Sequence, residues 1–244
     1  MKIHDEGIIV GLKKYGERGI ILNIFSQNNG LIRGYSRASS KRQYSLILDL
    51  VSFEWKSRTD DGLGYIKFEI LDSFFKNDES YNNLLLKMSA SELCLKLIPI
   101  KENNKIIFKD FMNFVKTFNS VNCSEKKFLE EYILWELKLL NNIGFGLDFS
   151  KCAVSGKKEN LFYVSPNTGQ VVSKSVGEPW KDKLLILPKF YSNCKEKVEG
   201  KDIKNGLILN YFFINKVIKN LGSNKSTKLI YRKELQKKFI LLYS

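Results

Sequence analysis

Hydrophobic and polar positions follow two different periods along this chain, and the period changes near residue 80. Up to residue 75, apolar residues alternate with polar ones, which is typical of β-strands. Asn29-Gly30 predicts a two-residue hairpin turn between the second and third strands, and Asp60-Asp61-Gly62 joins the fourth and fifth. The predicted strands span residues 8–16, 18–26, 30–37, 45–57 and 62–74. Five strands without a crossover helix predict a small OB-type barrel, with an SH3-like barrel or an open meander as alternatives.

From Tyr81 onward, apolar residues recur three and four positions apart, as on one face of an α-helix. Ser124 is a suitable N-cap for one of these helices, and Gly144 is a suitable stop. A strand-like stretch at residues 160–173 interrupts the helical pattern. The predicted helices span residues 81–98, 108–118, 125–144, 203–222 and 227–243.

These patterns predict an α+β protein of two domains. Residues 1–78 form the five-stranded OB-type β-barrel. Residues 79–244 form an all-helical domain, in which residues 150–190 are a β-hairpin insertion.

The net charge is +14, and such a basic chain favours a polyanionic partner. Lysine outnumbers arginine 34 to 6, so a compositional bias toward lysine accounts for part of the charge. The arginines are more informative, because four of the six fall within the first 42 residues. Between Val10 and Ser45, seven basic residues stand against one acid, Glu17. The predicted binding surface is therefore on the barrel.

The third predicted strand has a face suited to single-stranded nucleic acid. Strand alternation places Arg33, Tyr35 and Arg37 on one side. Guanidinium groups pair with phosphates, and a tyrosine ring offers a surface on which bases stack. A charged edge strand that discourages aggregation is the alternative, but it needs only one or two charges. The predicted DNA-binding residues are Lys13, Lys14, Arg18, Arg33, Tyr35, Arg37, Lys41 and Arg42.

Patterns of catalytic and metal-binding residues are scarce. His4 is the only histidine, and it lies beside Asp5 at the start of the chain, so we expect a surface role for it. No phosphate-binding loop of the form G-x-x-x-x-G-K-[ST] occurs. We therefore expect a protein that is not an enzyme, with no cofactor and no bound metal.

The compartment follows from the cysteines and the hydropathy. No apolar run reaches the roughly 18 residues that a membrane span requires, so no membrane partner is expected. The start of the chain lacks the pattern of a signal peptide. The cysteines are widely spaced, which is typical of a reducing compartment such as the bacterial cytoplasm. They are Cys94, Cys123, Cys152 and Cys194.

Several segments resemble the RecO family of bacterial DNA repair and recombination proteins. Residues 7–42 look like the amino-terminal barrel of the family, and residues 63–71 resemble its fifth strand. Residues 128–156 are similar to its long helix, a G-[YF]-G-L-D element and the first half of a zinc site. Residues 161–173 resemble the β insertion that carries the second half.

The resemblance implies a recombination mediator of the RecFOR pathway that is associated with the nucleoid. Such a protein binds single-stranded DNA through its barrel, with duplex DNA as a further ligand, and anneals complementary strands. Its implied protein partners are RecR and the carboxyl-terminal tail of single-stranded-DNA-binding protein, and it helps to load RecA indirectly.

One part of the family pattern differs in this chain. Zinc-bearing members have two C-x-x-C motifs, and the corresponding residues here are Cys152, Ser155, Ser173 and Val176. A hydroxyl or an isopropyl group does not replace a thiolate on zinc. The insertion therefore resembles a zinc finger that has lost its ligands, and apolar packing is expected to hold it.

Two other functions stay open on the sequence alone. An RNA-binding or translation-associated OB-fold protein would have a similar basic barrel. A nuclease would need several carboxylates that converge on metal ions, and no pattern in the sequence suggests them.

Overall fold

The structure, a computed structural model, describes residues 1–37, 47–59, 62–74, 80–118, 124–191, 198–221 and 228–243. The strands are β1 Lys2–Tyr15, β2 Gly19–Ser26, β3 Gly30–Arg37, β4 Leu50–Lys56, β5 Gly64–Asp72, β6 Leu161–Val164, β7 Val171–Ser173 and β8 Leu185–Ile186. The helices are α1 Tyr81–Leu97, α2 Lys105–Thr117, α3 Glu125–Asn142, α4 Lys174–Gly177, α5 Gly200–Asn220 and α6 Ile230–Leu242. Two 3-10 helices span Glu178–Lys183 and Lys189–Tyr191.

The first five strands close into a barrel in the order β1-β2-β3-β5-β4. The β3–β5 pair is parallel, and the other neighbouring pairs are antiparallel. This arrangement confirms the predicted OB-type barrel over the SH3-like and open alternatives. Apolar side chains from every strand fill the interior: Ile9, Ile20, Leu22, Ile24, Ile32, Val51, Phe53, Trp55 and Ile66.

The turn between β2 and β3 differs from the two-residue turn expected at Asn29-Gly30. Three residues, 27–29, separate the strands, and Gly30 opens β3 with a φ of 64°. The Asp5 carboxylate of β1 holds this turn: it accepts hydrogen bonds from the Ser26 hydroxyl, from the Asn28 backbone N–H at 2.9 Å and from the Asn29 side chain at 2.8 Å. A residue that is distant in the sequence therefore helps to set the turn.

The linker between α1 and α2 packs on the barrel. Ile100 forms a parallel bridge with Leu31 of β3, and the Leu31 backbone N–H donates to the carbonyl of Pro99 at 3.2 Å. The next residue, Lys101, places its ammonium 4.4 Å from the ring centroid of the buried Trp55. This linker therefore adds backbone pairing and a cation–π contact to the barrel.

A carboxylate of α1 caps the start of α6. Glu92, which is 9% exposed, accepts hydrogen bonds from the backbone N–H groups of Ile230 at 2.7 Å and Arg232 at 3.0 Å. The first N–H groups of a helix have no partner within it, and a negative charge there is favourable.

Helices α3 and α5 pack together in the second part of the chain. Asn210 of α5 is fully buried, and its side-chain amide donates to the Ile133 carbonyl at 2.8 Å and to the Glu136 carboxylate at 3.2 Å. The predicted cap of α3 is confirmed, because the Ser124 hydroxyl accepts the Lys127 backbone N–H at 3.3 Å.

The predicted β insertion is a three-stranded sheet in the order β7-β6-β8. The turn between β6 and β7 is fixed by α5, because the Lys216 ammonium donates to the carbonyls of Pro166 at 3.2 Å and Asn167 at 2.9 Å. The sequence did not predict β8 or the short helices beside it, since two to six residues are too few to show a period.

Packing divides the chain into two compact units. One unit contains Met1–Asn122 and Leu229–Arg232, and the other contains Cys123–Lys228 and Lys233–Ser244. Helices α1 and α2 therefore cluster with the barrel, whereas the predicted domain boundary at residue 78 stays a prediction. Among the described residues, no helix is long and apolar enough to cross a membrane.

Candidate nucleic-acid interface

The outer face of β3 carries the side chains that the alternation of this strand predicts. Arg33 and Arg37 are exposed and Tyr35 is half-buried, whereas Ile32, Gly34 and Ser36, which alternate with them, are buried. Because neighbouring side chains on a strand point to opposite faces, the three polar residues share the outside of the barrel.

Cross-strand register extends this face around the barrel. Tyr35 lies opposite Ile21 of β2 on one side and Tyr65 of β5 on the other. By the same cross-strand pairing, Ile21 lies opposite Lys13, Tyr65 lies opposite Lys56, and Lys56 lies opposite Lys2. Paired residues lie on the same face of a sheet, so these side chains form one outer row: Lys2, Lys56, Tyr65, Tyr35, Ile21 and Lys13. The row has tyrosines at its centre and lysines at both ends.

Tyr35 and Tyr65, at the centre of the outer row, cluster with the ring of Tyr15, which lies beside the row. Tyr35 lies 6.1 Å from Tyr15 and 6.1 Å from Tyr65, measured between ring centroids. Tyr15 is 57% exposed and Tyr65 is 41% exposed. The ring of Tyr35 lies over Gly19, where a Cβ atom would collide with it. The central ring is therefore held by its neighbours, and the two outer rings are open to solvent.

Most of the described residues from the predicted set lie on or beside this face. Lys13 stands in the outer row, and Arg37 lies opposite Gly19, which in turn pairs with Tyr15. Arg33 is the next outward residue of β3. Arg18 is exposed in the turn between β1 and β2. Lys41 and Arg42 lie outside the described residues.

Lys14 lies apart from its neighbour Lys13. It lines a cavity of about 480 Å³ whose walls include Leu12, Ile20, Met88 and Leu95. Lys14 pairs with the inward-facing Ile20, whereas Lys13 pairs with Ile21 in the outer row. The sequence analysis grouped the two lysines as basic residues near Tyr15, but adjacent residues of a strand face opposite ways.

The sequence analysis missed several members of the face. Tyr65 lies on β5, far from the basic stretch, and only the parallel β3–β5 pairing brings it to Tyr35. An open cleft of about 890 Å³ beside Tyr65 is lined by three cations, Lys2, Lys56 and Arg58. Local patterns do not reveal which strands pair. The signal for Tyr65 in the sequence is the alternation along β5, in which Tyr65 and Lys67 fall on the same, exposed face.

One acid offsets part of the positive charge at the Lys2 end of the row. The Glu54 carboxylate forms ion pairs with Lys56 and with Lys2, the second at 3.4 Å. The hydrogen bond from Lys56 is the main reason that the pKa of Glu54 lies below its ordinary value. His4 is exposed and lies 3.4 Å from the same carboxylate, which fits the surface role expected for it.

Within the described ranges, no group of three or more histidine, cysteine, aspartate or glutamate side chains is arranged to hold a metal ion. The outer row and the arginines beside it, Arg33 and Arg37, instead combine ammonium and guanidinium groups with open aromatic rings. These groups bind phosphates and stack on bases, and none of them is positioned as a nucleophile with an adjacent base.

The residues at the zinc-like positions form a small packed site, which we call the knuckle: Cys152, Ser155, Ser173 and Val176. The Cys152 thiol is buried and accepts hydrogen bonds from the backbone N–H groups of Ser155 at 3.4 Å and Ser173 at 3.3 Å. Burial raises the pKa of Cys152, but the hydrogen bonds from Ser155, Ser173 and Val154 outweigh it and lower the pKa to about 6.

The knuckle does not fit a zinc ion, because it supplies one thiol where structural zinc needs four nitrogen or sulfur ligands. Val176 instead packs against the apolar cluster of Cys152, Tyr163 and Val172. Leu161, Phe162 and Leu184 complete this cluster, so apolar packing replaces metal ligation here.

Comparison with known proteins identifies relatives along most of the chain. The profile of the recombination protein O amino-terminal domain matches residues 1–74, and that of the carboxyl-terminal domain matches residues 79–207. A DNA repair protein RecO of Ehrlichia chaffeensis is 37% identical, over 97% of this chain and 98% of its own length. RecO proteins of Rickettsia canadensis and of Wolbachia from Culex pipiens are 35% and 33% identical, each over 89% of this chain and at least 90% of their own length.

Proposed function

Because the chain belongs to the RecO family of DNA repair and recombination proteins, we propose that it binds single-stranded DNA through the outer row of its barrel. The observation that carries this proposal is the tyrosine cluster. Two exposed rings flank Tyr35, and lysines and arginines surround them. A role in DNA repair follows from the family, and the geometry supports the ligand and the binding face.

The outer row suits a single strand better than a duplex. In a duplex the bases are stacked on each other, so exposed tyrosine rings have no free base to contact. In a single strand, bases stack on the rings while Arg33, Arg37 and Lys13 neutralise phosphates on either side. Each such phosphate contact releases counterions, so affinity falls as salt rises.

Strand annealing follows from this mode of binding. A protein that holds a strand by its phosphates and a few stacked bases leaves the remaining base edges free to pair with a complement. The process requires no bond to be made or broken, so we propose a mediator that is not an enzyme and that needs no nucleotide or metal.

The proposed setting is the bacterial cytoplasm at the nucleoid. There the protein acts with RecR and with the acidic tail of single-stranded-DNA-binding protein, and helps RecA to load. The support for these partners is membership of the family, which also favours DNA over RNA as the ligand. The bacterial origin of the matched relatives supports the compartment.

The test is annealing of complementary oligonucleotides coated with single-stranded-DNA-binding protein, with and without this chain. The proposal predicts faster annealing with the wild-type chain, and a smaller gain with an Arg33→Ala/Arg37→Ala variant. No acceleration by the wild-type chain, under conditions where it binds the uncoated strands, would overturn the annealing role.

A further inference from the structure

The second compact unit presents an exposed tryptophan. The chain has three tryptophans, and the structure describes all of them: Trp55 and Trp135 are buried, whereas Trp180 is 60% exposed. Trp180 lies on the 3-10 helix Glu178–Lys183, with Pro179 in the first turn. An indole is the largest apolar side chain, and leaving its ring in water forgoes the free energy of burial.

Lysine ammonium groups accompany the aromatic rings of this unit. Lys183 places its ammonium 5.6 Å from the ring centroid of Trp180, and Lys174 places its ammonium 5.2 Å from that of Phe162. Both distances lie within the range of cation–π attraction. Phe162 belongs to β6 of the small sheet, and Lys174 opens α4 immediately after β7. The Trp180–Lys183 pair presents an open ring beside a positive charge, whereas the Phe162 ring of the second pair is half-buried against the knuckle cluster.

Two acids, Glu178 and Asp182, lie beside these pairs, so residues 174–183 carry a net charge of +1. Glu178 is already engaged. Glu178 accepts a hydrogen bond from the Tyr163 hydroxyl at 2.9 Å and lies 3.5 Å from the Lys181 ammonium. The hydrogen bond from Tyr163 is the main reason that the pKa of Glu178 lies below its ordinary value. The Glu178 carboxylate is therefore occupied by Tyr163 and Lys181, whereas the Lys183 ammonium lies beside the exposed indole of Trp180.

We propose that this surface, formed by Trp180, Lys183, Phe162 and Lys174, is a second contact for single-stranded nucleic acid; this rests on the proposed function. A nucleotide offers a flat base and a phosphate joined by a short sugar, which matches a ring and an ammonium held close together. Stacking on an aromatic ring accepts every base, so the contact has no sequence preference.

Nucleic acid suits this surface better than a protein. Lysine is depleted at protein–protein interfaces, whereas the exposed Trp180 is followed by two lysines, Lys181 and Lys183, on the same short helix. A second contact allows one molecule of this protein to touch more than one strand, or more of a single strand.

The fluorescence of Trp180 can report binding at this surface, because the other two tryptophans are buried. Oligothymidine with a terminal fluorescein is titrated into the full-length protein at low salt. Anisotropy reports binding by any part of the chain, and tryptophan emission with acrylamide quenching reports the environment of the indole. A Trp180→Phe variant supplies the signal of Trp55 and Trp135 for subtraction.

The inference predicts that oligothymidine quenches Trp180 emission and protects it from acrylamide. An abasic oligonucleotide of equal length, which has the phosphates without the bases, leaves acrylamide quenching unchanged. Trp180→Ala weakens oligothymidine binding roughly 5-fold or more, as expected for the loss of one stacked base. Trp180→Phe stays close to wild type, as does Lys201→Ala, an exposed lysine of the same unit that pairs with Glu199.

The outcomes separate this inference from the proposed function. If anisotropy rises while Trp180 emission and its acrylamide quenching stay constant, the second contact is overturned. The proposed binding by the barrel face is then unaffected. Equal protection by the abasic oligonucleotide also overturns it, since attraction to lysine would then suffice. Protection by an acidic peptide and not by oligothymidine would assign the surface to a protein partner instead. No anisotropy change at all contradicts the proposed function itself.

Discussion

Tyr35 of β3 lies directly opposite Tyr65 of β5, in the parallel pairing that closes the barrel, with 6.1 Å between the two ring centroids. These residues are 30 positions apart in the sequence, and the barrel joins them into one aromatic surface with Tyr15. The more exposed rings, Tyr15 and Tyr65, are the ones that a base can reach.

The first prediction concerns that aromatic surface. Tyr65→Ala should weaken binding of single-stranded DNA by about 1–3 kcal/mol, since it removes one stacking ring. Tyr65→Phe keeps the ring and should stay near wild type. Fluorescence anisotropy with a labelled oligonucleotide measures both. As a matched control, Tyr81→Ala removes an exposed tyrosine of α1, 57% accessible, that is not part of the outer row. An equal loss of affinity with Tyr81→Ala would show that the outer row is not the binding face.

The second prediction uses the adjacent lysines of β1. Lys13 stands in the outer row, whereas Lys14 lines the cavity beside α1. Lys13→Ala should therefore lower the salt dependence of binding, with a change of about 0.7 in the slope of log K against log salt for one phosphate contact. Lys14→Ala should leave the slope unchanged. Because the two variants lose the same charge, a similar effect of both would show that only net charge matters.

The third prediction concerns the Asp5 carboxylate. Burial raises the pKa of Asp5, but the hydrogen bonds from Ser26, Asn28 and Asn29 outweigh it and keep the pKa below the ordinary value of 3.8. Since the folded pKa is depressed, the stabilisation is present above pH 3.8 and is lost as pH falls through the folded pKa. Asp5→Ala should lower the free energy of unfolding at neutral pH by about 1–3 kcal/mol, because it leaves the buried Ser26 hydroxyl and the half-buried Asn28 and Asn29 donors without this acceptor.

Urea unfolding at neutral and acidic pH checks this. The Asp5→Ala variant should lose less stability on acidification than the wild-type chain. Glu69→Ala, at an exposed position of β5, is the control and should follow the wild type at both pH values. Equal acid sensitivity of the wild type and Asp5→Ala would remove Asp5 from the account of the turn.

The fourth prediction concerns the knuckle. The wild-type protein should hold no stoichiometric zinc, and a chelator should not change its unfolding temperature. The variant Ser155→Cys/Ser173→Cys/Val176→Cys joins Cys152 to make a full set of thiols and should bind zinc tightly. Atomic absorption on purified protein measures the metal. Zinc that copurifies with the wild type, and whose removal lowers its unfolding temperature, would contradict the packing account.

The sequence predicts the strands and the outward residues of β3 well, because the strand period is local information. Arg33, Tyr35 and Arg37 lie together on the outside as the alternation requires. Strand alternation also places Lys13 and Lys14 of β1 on opposite faces. The sequence analysis grouped these two lysines by their charge and did not apply alternation to them.

The rest of the face depends on contacts between distant residues. The place of Tyr65 follows from the β3–β5 pairing, and the β2–β3 turn follows in part from Asp5, neither of which has a local signature. Trp180 lies in a short 3-10 helix beside the insertion, where no period is long enough to indicate exposure. The DNA-binding roles of the eight residues first singled out stay predictions, and the variants at Lys13, Lys14, Arg33 and Arg37 test four of them.

The most direct measurement is the salt dependence of oligonucleotide binding for the wild type and for Arg33→Ala/Arg37→Ala, two outward residues of β3. If the barrel binds phosphates through this face, the affinity of the wild type falls steeply as salt rises. The double variant binds more weakly, and its slope of log K against log salt is shallower by about 1.4, or about 0.7 for each lost phosphate contact. A double variant with the affinity and slope of the wild type, or a wild-type chain that leaves the oligonucleotide free at low salt, would contradict the account.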